Sequence, residues 1–231
     1  MLGLIKKDLL LLKTNTKVFI FIILFYILFG VTSDFGPAVI TAMLTLVMSM
    51  MVLSTMQWDE QAKWNSYALT TPVSRKMLVV SKYLLSLITI VIGTIMGFVC
   101  SIIVALTKSL IFDGQNYAFN LETLVIILTV FGVMLLINAI ILPAIYKFGV
   151  EKARVILLVL IGLPVFIISV LVAVISGLIS NGTINSNFLT NVISWFEANP
   201  ALLAVIAVIL LIAAIAASCR LSIKILEKKE F

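Results

Sequence analysis

The sequence predicts an all-α integral membrane protein with six transmembrane helices, both termini cytoplasmic and an N-terminal interfacial helix. Three observations carry this. The mean hydropathy is +1.27 with 63% hydrophobic and only 11% charged residues, a balance that no water-soluble surface accommodates. The acidic and basic residues fall in short strips between long runs that contain none. Fifteen of the 16 lysines and arginines lie in strips 1–17, 57–82, 147–154 and 220–231, with Lys108 alone on the other side. By the bias of basic residues toward the inner face, those four strips are cytoplasmic, and 34–37, 108–122 and 181–199 face outward.

Taken in order, residues 1–17 repeat Leu2, Ile5, Leu9 and Leu12 at helical spacing, with Lys6, Lys7 and Lys13 able to reach lipid headgroups. The four-leucine run is too short for a signal peptide, and no small-residue cleavage site follows it. An interfacial helix is expected here. The spans are expected at Val18 to Ser33, Phe35 to Trp58, Tyr83 to Thr107, Thr123 to Tyr146, Val155 to about Ser180, and Ala198 to Cys219. Lipid offers no partner for free backbone groups, and the alternation of a barrel strand is missing, so each run should be a helix. With short connections and no soluble insertion, residues 1–231 are expected to form a single membrane domain.

Chemistry-bearing patterns are scarce. The chain has no histidine, no phosphate-binding loop, no nucleophile elbow and no paired carboxylates within the six runs. Ion-coupled transport generally uses ionisable groups at depth, and these cores contain none unless Lys82 or Glu122 turns inward from a span end. Neither catalysis nor a bound cofactor is expected, and the net charge of +6 is explained by topology and anionic lipid without nucleic acid. Cys100 and Cys219 lie within or at the end of apolar runs and are read as packing residues. Gly93 and Gly97, Asn138 with Pro143, and Pro164 are candidates for close helix contacts or kinks. Gly93 and Gly97, like the small-residue run "AAIAAS" at 213–218, are also candidates for contact with a second subunit.

The longest expected cytoplasmic loop, 57–82, lies within "MQWDEQAKWNSYALTTPVSRKMLVVSKYLL". Asp59 and Lys63 are four apart with the acid first, and Trp64 and Tyr67 are three apart, which predicts a short surface helix. Thr71 and Pro72 then read as a cap and first-turn proline for a helix running from Val73 into the third span. Topology alone requires a few lysines. Mixed charge, two tryptophans and a tyrosine suggest a docking surface.

At Trp64, Tyr67, "ALTTPVSRK" and "SKY" ending at Tyr83, the chain resembles the ABC-2 type permeases, the membrane subunits of bacterial ATP-binding-cassette exporters. The resemblance is to the small six-span branch that includes peptide and toxin exporter permeases such as the phenol-soluble modulin exporter. It covers about 30 residues directly, with weaker support from "LIKKDLLLLK", and departs at Thr71, where a hydrophobic residue often precedes the proline. The resemblance implies a multi-pass subunit of the bacterial plasma membrane, paired with a second copy or a related permease and driven by separate cytoplasmic ATPases that hold ATP and magnesium. It implies that Asp59, Glu60, Lys63, Trp64, Tyr67, Pro72 and Arg75 form the ATPase-coupling segment. The expected substrate is hydrophobic or amphipathic, such as a peptide or toxin. A non-transporting membrane scaffold or sensor subunit is the alternative.

Overall fold

The computed structural model describes residues 2–14, 16–33, 36–111, 121–180 and 200–228. All of its elements are helices: α1 (Leu2–Thr14), α2 (Thr16–Thr32), α3 (Pro37–Gln61), α4 (Trp64–Ala68), α5 (Arg75–Ile111), α6 (Leu121–Phe148), α7 (Val150–Ser180) and α8 (Pro200–Glu227). Of the expected outward segments 34–37, 108–122 and 181–199, residues 34–35, 112–120 and the whole of 181–199 lie outside the described residues.

Among the described residues, four helices are long and apolar enough to cross a bilayer: Ala38–Gln61, Arg75–Leu110, Thr123–Phe148 and Ala204–Glu227. A fifth is reached if α1 and α2, bent by 63° to each other, count as one broken span. Six spans would require α2 and α7 to be counted separately. At 17 residues α2 falls short of the roughly 20 that a 30 Å hydrocarbon core asks of an upright helix.

The helices begin and end where local chemistry directs. Pro37 opens α3 after the extended Gly36, at a position where its missing N–H is no loss. Gly149, at φ +84°, closes α6 and donates to the Ile145 carbonyl at 2.8 Å, a left-handed helix end that glycine adopts without strain. The expected start of a helix at Val73 is corrected. Thr71 and Pro72 lie in the turn after α4, and α5 begins at Arg75, because the Ser74 hydroxyl accepts the Met77 N–H at 3.3 Å as an N-cap.

Helices α3 and α5 form the most extensive pair, followed by α6 with α8; α2 packs mainly on α5, and α7 on α6 and α3. A Cβ on Gly93 would lie 2.6 Å from Met48 Cβ, and one on Gly97 would lie 2.8 Å from the Thr41 Cα. Both glycines therefore serve contact within the chain, which corrects their candidacy as contacts with a second subunit. The main core joins Val52, Met56, Val79, Leu85, Leu142 and Leu226, at the end of the bundle that carries α4.

Pro143 lies inside α6 and has no N–H for the carbonyl of Ala139, four residues earlier. The Ser218 hydroxyl of α8 donates to that carbonyl instead. Since Ser218 spends its proton there, Tyr83 donates to Ser218 Oγ at 2.6 Å, and Ser222 donates to Tyr83 at 2.9 Å. One missing backbone donor thus joins α6, α8 and α5. Asn138 is buried and donates to the Met134 carbonyl of its own helix at 3.2 Å. Pro164 lies within α7, with its side chain outside the described set.

Candidate functional site: the α3–α4–α5 loop and its ties

Helix α3 continues through Trp58 and Asp59 to Gln61, so the last turn of a long apolar helix carries the first polar residues of the loop. The chain then reverses at Lys63, whose φ of 50° is the left-handed conformation and whose backbone starts α4. The five residues of α4 return Trp64 toward the bundle, where it packs against the main core, and turn Tyr67 outward. The two rings meet at 5.5 Å between centroids, tilted by 43°.

Asp59 does not pair with Lys63. It is 6% exposed and lies inside the bundle, with Lys7 Nζ 2.5 Å from Oδ1 and Lys82 Nζ 2.6 Å from Oδ2. Lys82 also reaches Asp8 Oδ2 at 2.8 Å, and Lys7 lies 3.2 Å from Asp8 Oδ1. Two anions and two cations from α1, α3 and α5 thus alternate, each lysine touching both carboxylates. Asp8 Oδ1 and Asp59 Oδ2 have ion-pair contacts without hydrogen-bond geometry, so attraction between charges holds those corners. The arrangement is formally neutral. That permits burial of groups which singly would each cost several kcal/mol. Lys7 Nζ lies 4.2 Å from the centre of the Trp64 ring, a cation over an aromatic face, which extends the cluster to α4.

Glu60 and Arg75 also turn to their own chain. Glu60 Oε2 accepts the Val150 N–H at 2.9 Å, placing a carboxylate at the start of α7, where the first backbone donors have no helical acceptor. Gly149 makes room: a Cβ there would lie 2.7 Å from Glu60 Oε1. Gln57 accepts from Arg154 and binds α3 to α7 a second time. Arg75 donates to the Leu226 carbonyl at 3.0 Å and the Glu227 carbonyl at 2.6 Å, capping the last turn of α8. Glu60 and Gln57 thus fasten α3 to the first turns of α7, and Arg75 fastens α5 to the last turn of α8. A cavity of about 170 Å³ lies among them, lined by Lys7, Asp8, Asp59, Trp64, Lys82 and Tyr146.

Of the expected coupling residues, Asp59 is buried, Glu60 is exposed but binds a backbone group of α7, Arg75 binds backbone groups of α8, and Trp64 is half-buried against the main core. Lys7 is half-buried in ion pairs and is not free for lipid; Lys6 and Lys13 remain exposed. The inward face of α1 is Leu4, Asp8 and Leu12, and Leu9 is exposed. The six expected cores carry no ionisable residue, and the buried ionic groups Asp8, Asp59, Lys82 and Lys108 lie at the ends of the bundle, Lys82 being one of the two span-end residues expected to be able to turn inward. Lys108 donates to the Ser33 carbonyl beyond α2. The large aromatics exposed in the loop are Trp58 at 56% and Tyr67 at 62%; among the other expected coupling residues Glu60, Lys63 and Pro72 are exposed, and so are Ser66, Thr70, Thr71 and Lys76.

Sequence reasoning missed Asp8, Ser218 and Trp58 as structural or surface residues. Asp8 had a signal: it is the one acid in an otherwise basic, leucine-rich segment, spaced i, i+4, i+8 with Leu4 and Leu12. Among the described residues no group of three or more His, Cys, Asp or Glu is placed to hold a metal ion.

Residues 3–227 match the family model described as ABC-2 family transporter protein, nearly the whole chain. The chain belongs to the ABC-2 transporter family. No curated protein and no solved structure matches it. Members of the ABC-2 family are membrane permeases that are not themselves catalytic and that generally work with a cytoplasmic ABC ATPase. Together with the long apolar helices, membership makes this chain a multi-pass membrane protein and indicates a permease subunit of an ABC transporter.

Proposed function

We propose that the chain is the membrane-spanning subunit of a bacterial ABC exporter, a single domain of six spans (α2, α3, α5, α6, α7 and α8) with both termini and the α4 end in the cytoplasm. It works as a dimer, with a second copy or a related permease, and couples to separate cytoplasmic ATPases that hold ATP and magnesium. The observation that supports this best is the division of labour in the α3–α4–α5 loop: aromatic Trp58 and Tyr67 are exposed at its edge, while Asp59, Glu60 and Arg75 secure it to α5, α7 and α8. An exposed aromatic edge on a rigid mount is what a docking handle needs, since aromatic anchors dominate interface energies and a preordered surface loses less entropy on binding.

The substrate we favour is an amphipathic or hydrophobic peptide, admitted sideways from the inner leaflet past α1. Supporting this, Lys6 and Lys13 are exposed on α1 beside the exposed Leu9 and Leu10, a mixed face suited to an adsorbed amphipathic helix. The buried ionic groups are engaged within the chain, so a salt bridge to substrate at depth is not part of this path.

The test is co-purification of the tagged chain with an ABC ATPase from its own cells. Trp58→Ala and Tyr67→Ala should each leave insertion intact and weaken ATPase binding by about 2 kcal/mol, roughly thirtyfold in Kd. Normal ATPase recovery and turnover in both would move the handle elsewhere, with 147–154 the next segment to examine. An intact, inserted chain that recovers no ATPase would favour the scaffold or sensor alternative.

A further inference from the structure

We infer that Asp8 and Lys82 are positioning residues that fasten α1 to the α3–α4 turn, so that the amphipathic helix and the proposed ATPase handle move as one body. This rests on the reading of α4 as the handle. A helix held only by lipid has no use for a carboxylate on its inner face. Yet Asp8, 1% exposed, lies between Leu4 and Leu12, which pack on the main core. A buried carboxylate requires an answering charge. It finds Lys82 of α5 at 2.8 Å, and Lys82 in turn finds Asp59 of α3 at 2.6 Å.

Lys7 closes the circuit, because it meets Asp59 at 2.5 Å and Asp8 at 3.2 Å and lies over the Trp64 ring of α4. Four contacts among three helices form a ring. Sliding α1 along α5 breaks Lys82 to Asp8 and also strains Lys7 to Asp59, so no single ion pair can yield alone. A pull on α4 is therefore delivered to α1, and through the 63° bend to α2, which packs on α5. Asp8 and Lys82 touch no partner in this scheme; they act through Asp59.

The experiment places nitroxide labels at Leu10 on α1 and Ser66 on α4, both exposed, in the full chain with Cys100 and Cys219 replaced by alanine and reconstituted in lipid nanodiscs. The chain alone should give one narrow distance distribution. The double variant Asp8→Asn with Lys82→Gln stays formally neutral and keeps the Lys7 to Asp59 pair, so it should fold where a single change strands a charge. Its distribution should lose its narrow form, while Lys82→Arg, which keeps the charge, should retain it. A second label pair, Ser66 with Ser109, reports movement of the handle against the far end of α5. With ATPase bound, nucleotide should shift the second distance and leave the first unchanged.

A double variant as narrow as the parent overturns the inference, and so does a nucleotide shift of the Leu10 to Ser66 distance as large as that of Ser66 to Ser109. Failure of any ATPase to bind would instead overturn the handle assignment, and the chain alone would still decide whether α1 is fastened.

Discussion

Replacing Gly97 by alanine tests the tightest feature of the fold, the seam between α3 and α5. The added Cβ would lie 2.8 Å from the Thr41 Cα, 3.0 Å from its carbonyl oxygen and 3.1 Å from its Cγ2, where ordinary contact begins near 3.4 Å. Two of those atoms are backbone, so no rotamer change relieves the clash and the helices must separate by about half an ångström. Overpacking of this kind costs about 1–3 kcal/mol. Alanine recovers at most about 1 kcal/mol of helix propensity, leaving a net loss of about 1–2 kcal/mol. Gly93→Ala meets Met48 Cβ at 2.6 Å and the Thr45 Cα at 3.1 Å, so its loss should be similar. One separation of the helices relieves both sites, so the double variant should lose less than the sum of the singles. Gly162→Ala, with nothing within 4 Å, is the control and should be neutral or slightly stabilising. The assay is thermal unfolding of the purified chain in one detergent, where 1 kcal/mol corresponds to about 2–4 °C for a chain of this length. If Gly93→Ala and Gly97→Ala both melt at or above the parent while Gly162→Ala behaves as stated, the close α3–α5 seam is refuted.

Gly149→Ala combines a φ of +84° with a Cβ 2.7 Å from Glu60 Oε1, and should cost at least about 1 kcal/mol and expose the α6–α7 junction to proteolysis after Lys147 or Lys152. Arg75→Gln removes the charged donor to the Leu226 and Glu227 carbonyls, so backbone amides in the last turn of α8 should exchange faster with deuterium while those of α6 do not change. Tyr83→Phe should cost roughly 0.6 kcal/mol, the usual scale for hydrogen bonds between membrane helices, read as a small fall in melting temperature. A Tyr83→Phe variant that melts above the parent would contradict a stabilising role for the Ser218 and Ser222 bonds.

The helical class was legible because its signal is coarse: runs of some 20 uncharged residues read the same in any register. The count of spans was less so. Lys17 and the short run from Val18 leave α2 at 17 residues, and hydropathy does not say whether α1, across a 63° bend, completes a broken crossing. In the loop, the existence of α4 was readable from Trp64 and Tyr67, whereas the boundary of α5 was misassigned because two cap candidates compete, Thr71 before a proline and Ser74 three residues before Met77. The proline favours a turn equally well, and Ser74 makes the bond.

The direction of the charges was the part that spacing could not give. Asp59 and Lys63 stand at i, i+4, the register of a helical pair, but α3 ends at Gln61 and Lys63 takes a positive φ, so the helix that would align them stops between them. Asp59 is left on the inner face of the last turn of α3, where Lys82 of α5 and Lys7 of α1 arrive from 23 and 52 residues away. Such partners are set by tertiary packing and leave no local trace. The same packing changes the meaning of the loop's composition: Asp59, Glu60 and Arg75 tie it to its own bundle, and Trp58 and Tyr67 lie exposed at the edge we propose for docking. A charge-reversal screen of this loop would therefore damage the fold before it reached the docking surface, whereas truncation of Trp58 or Tyr67 leaves the ionic ring untouched and reports on docking alone.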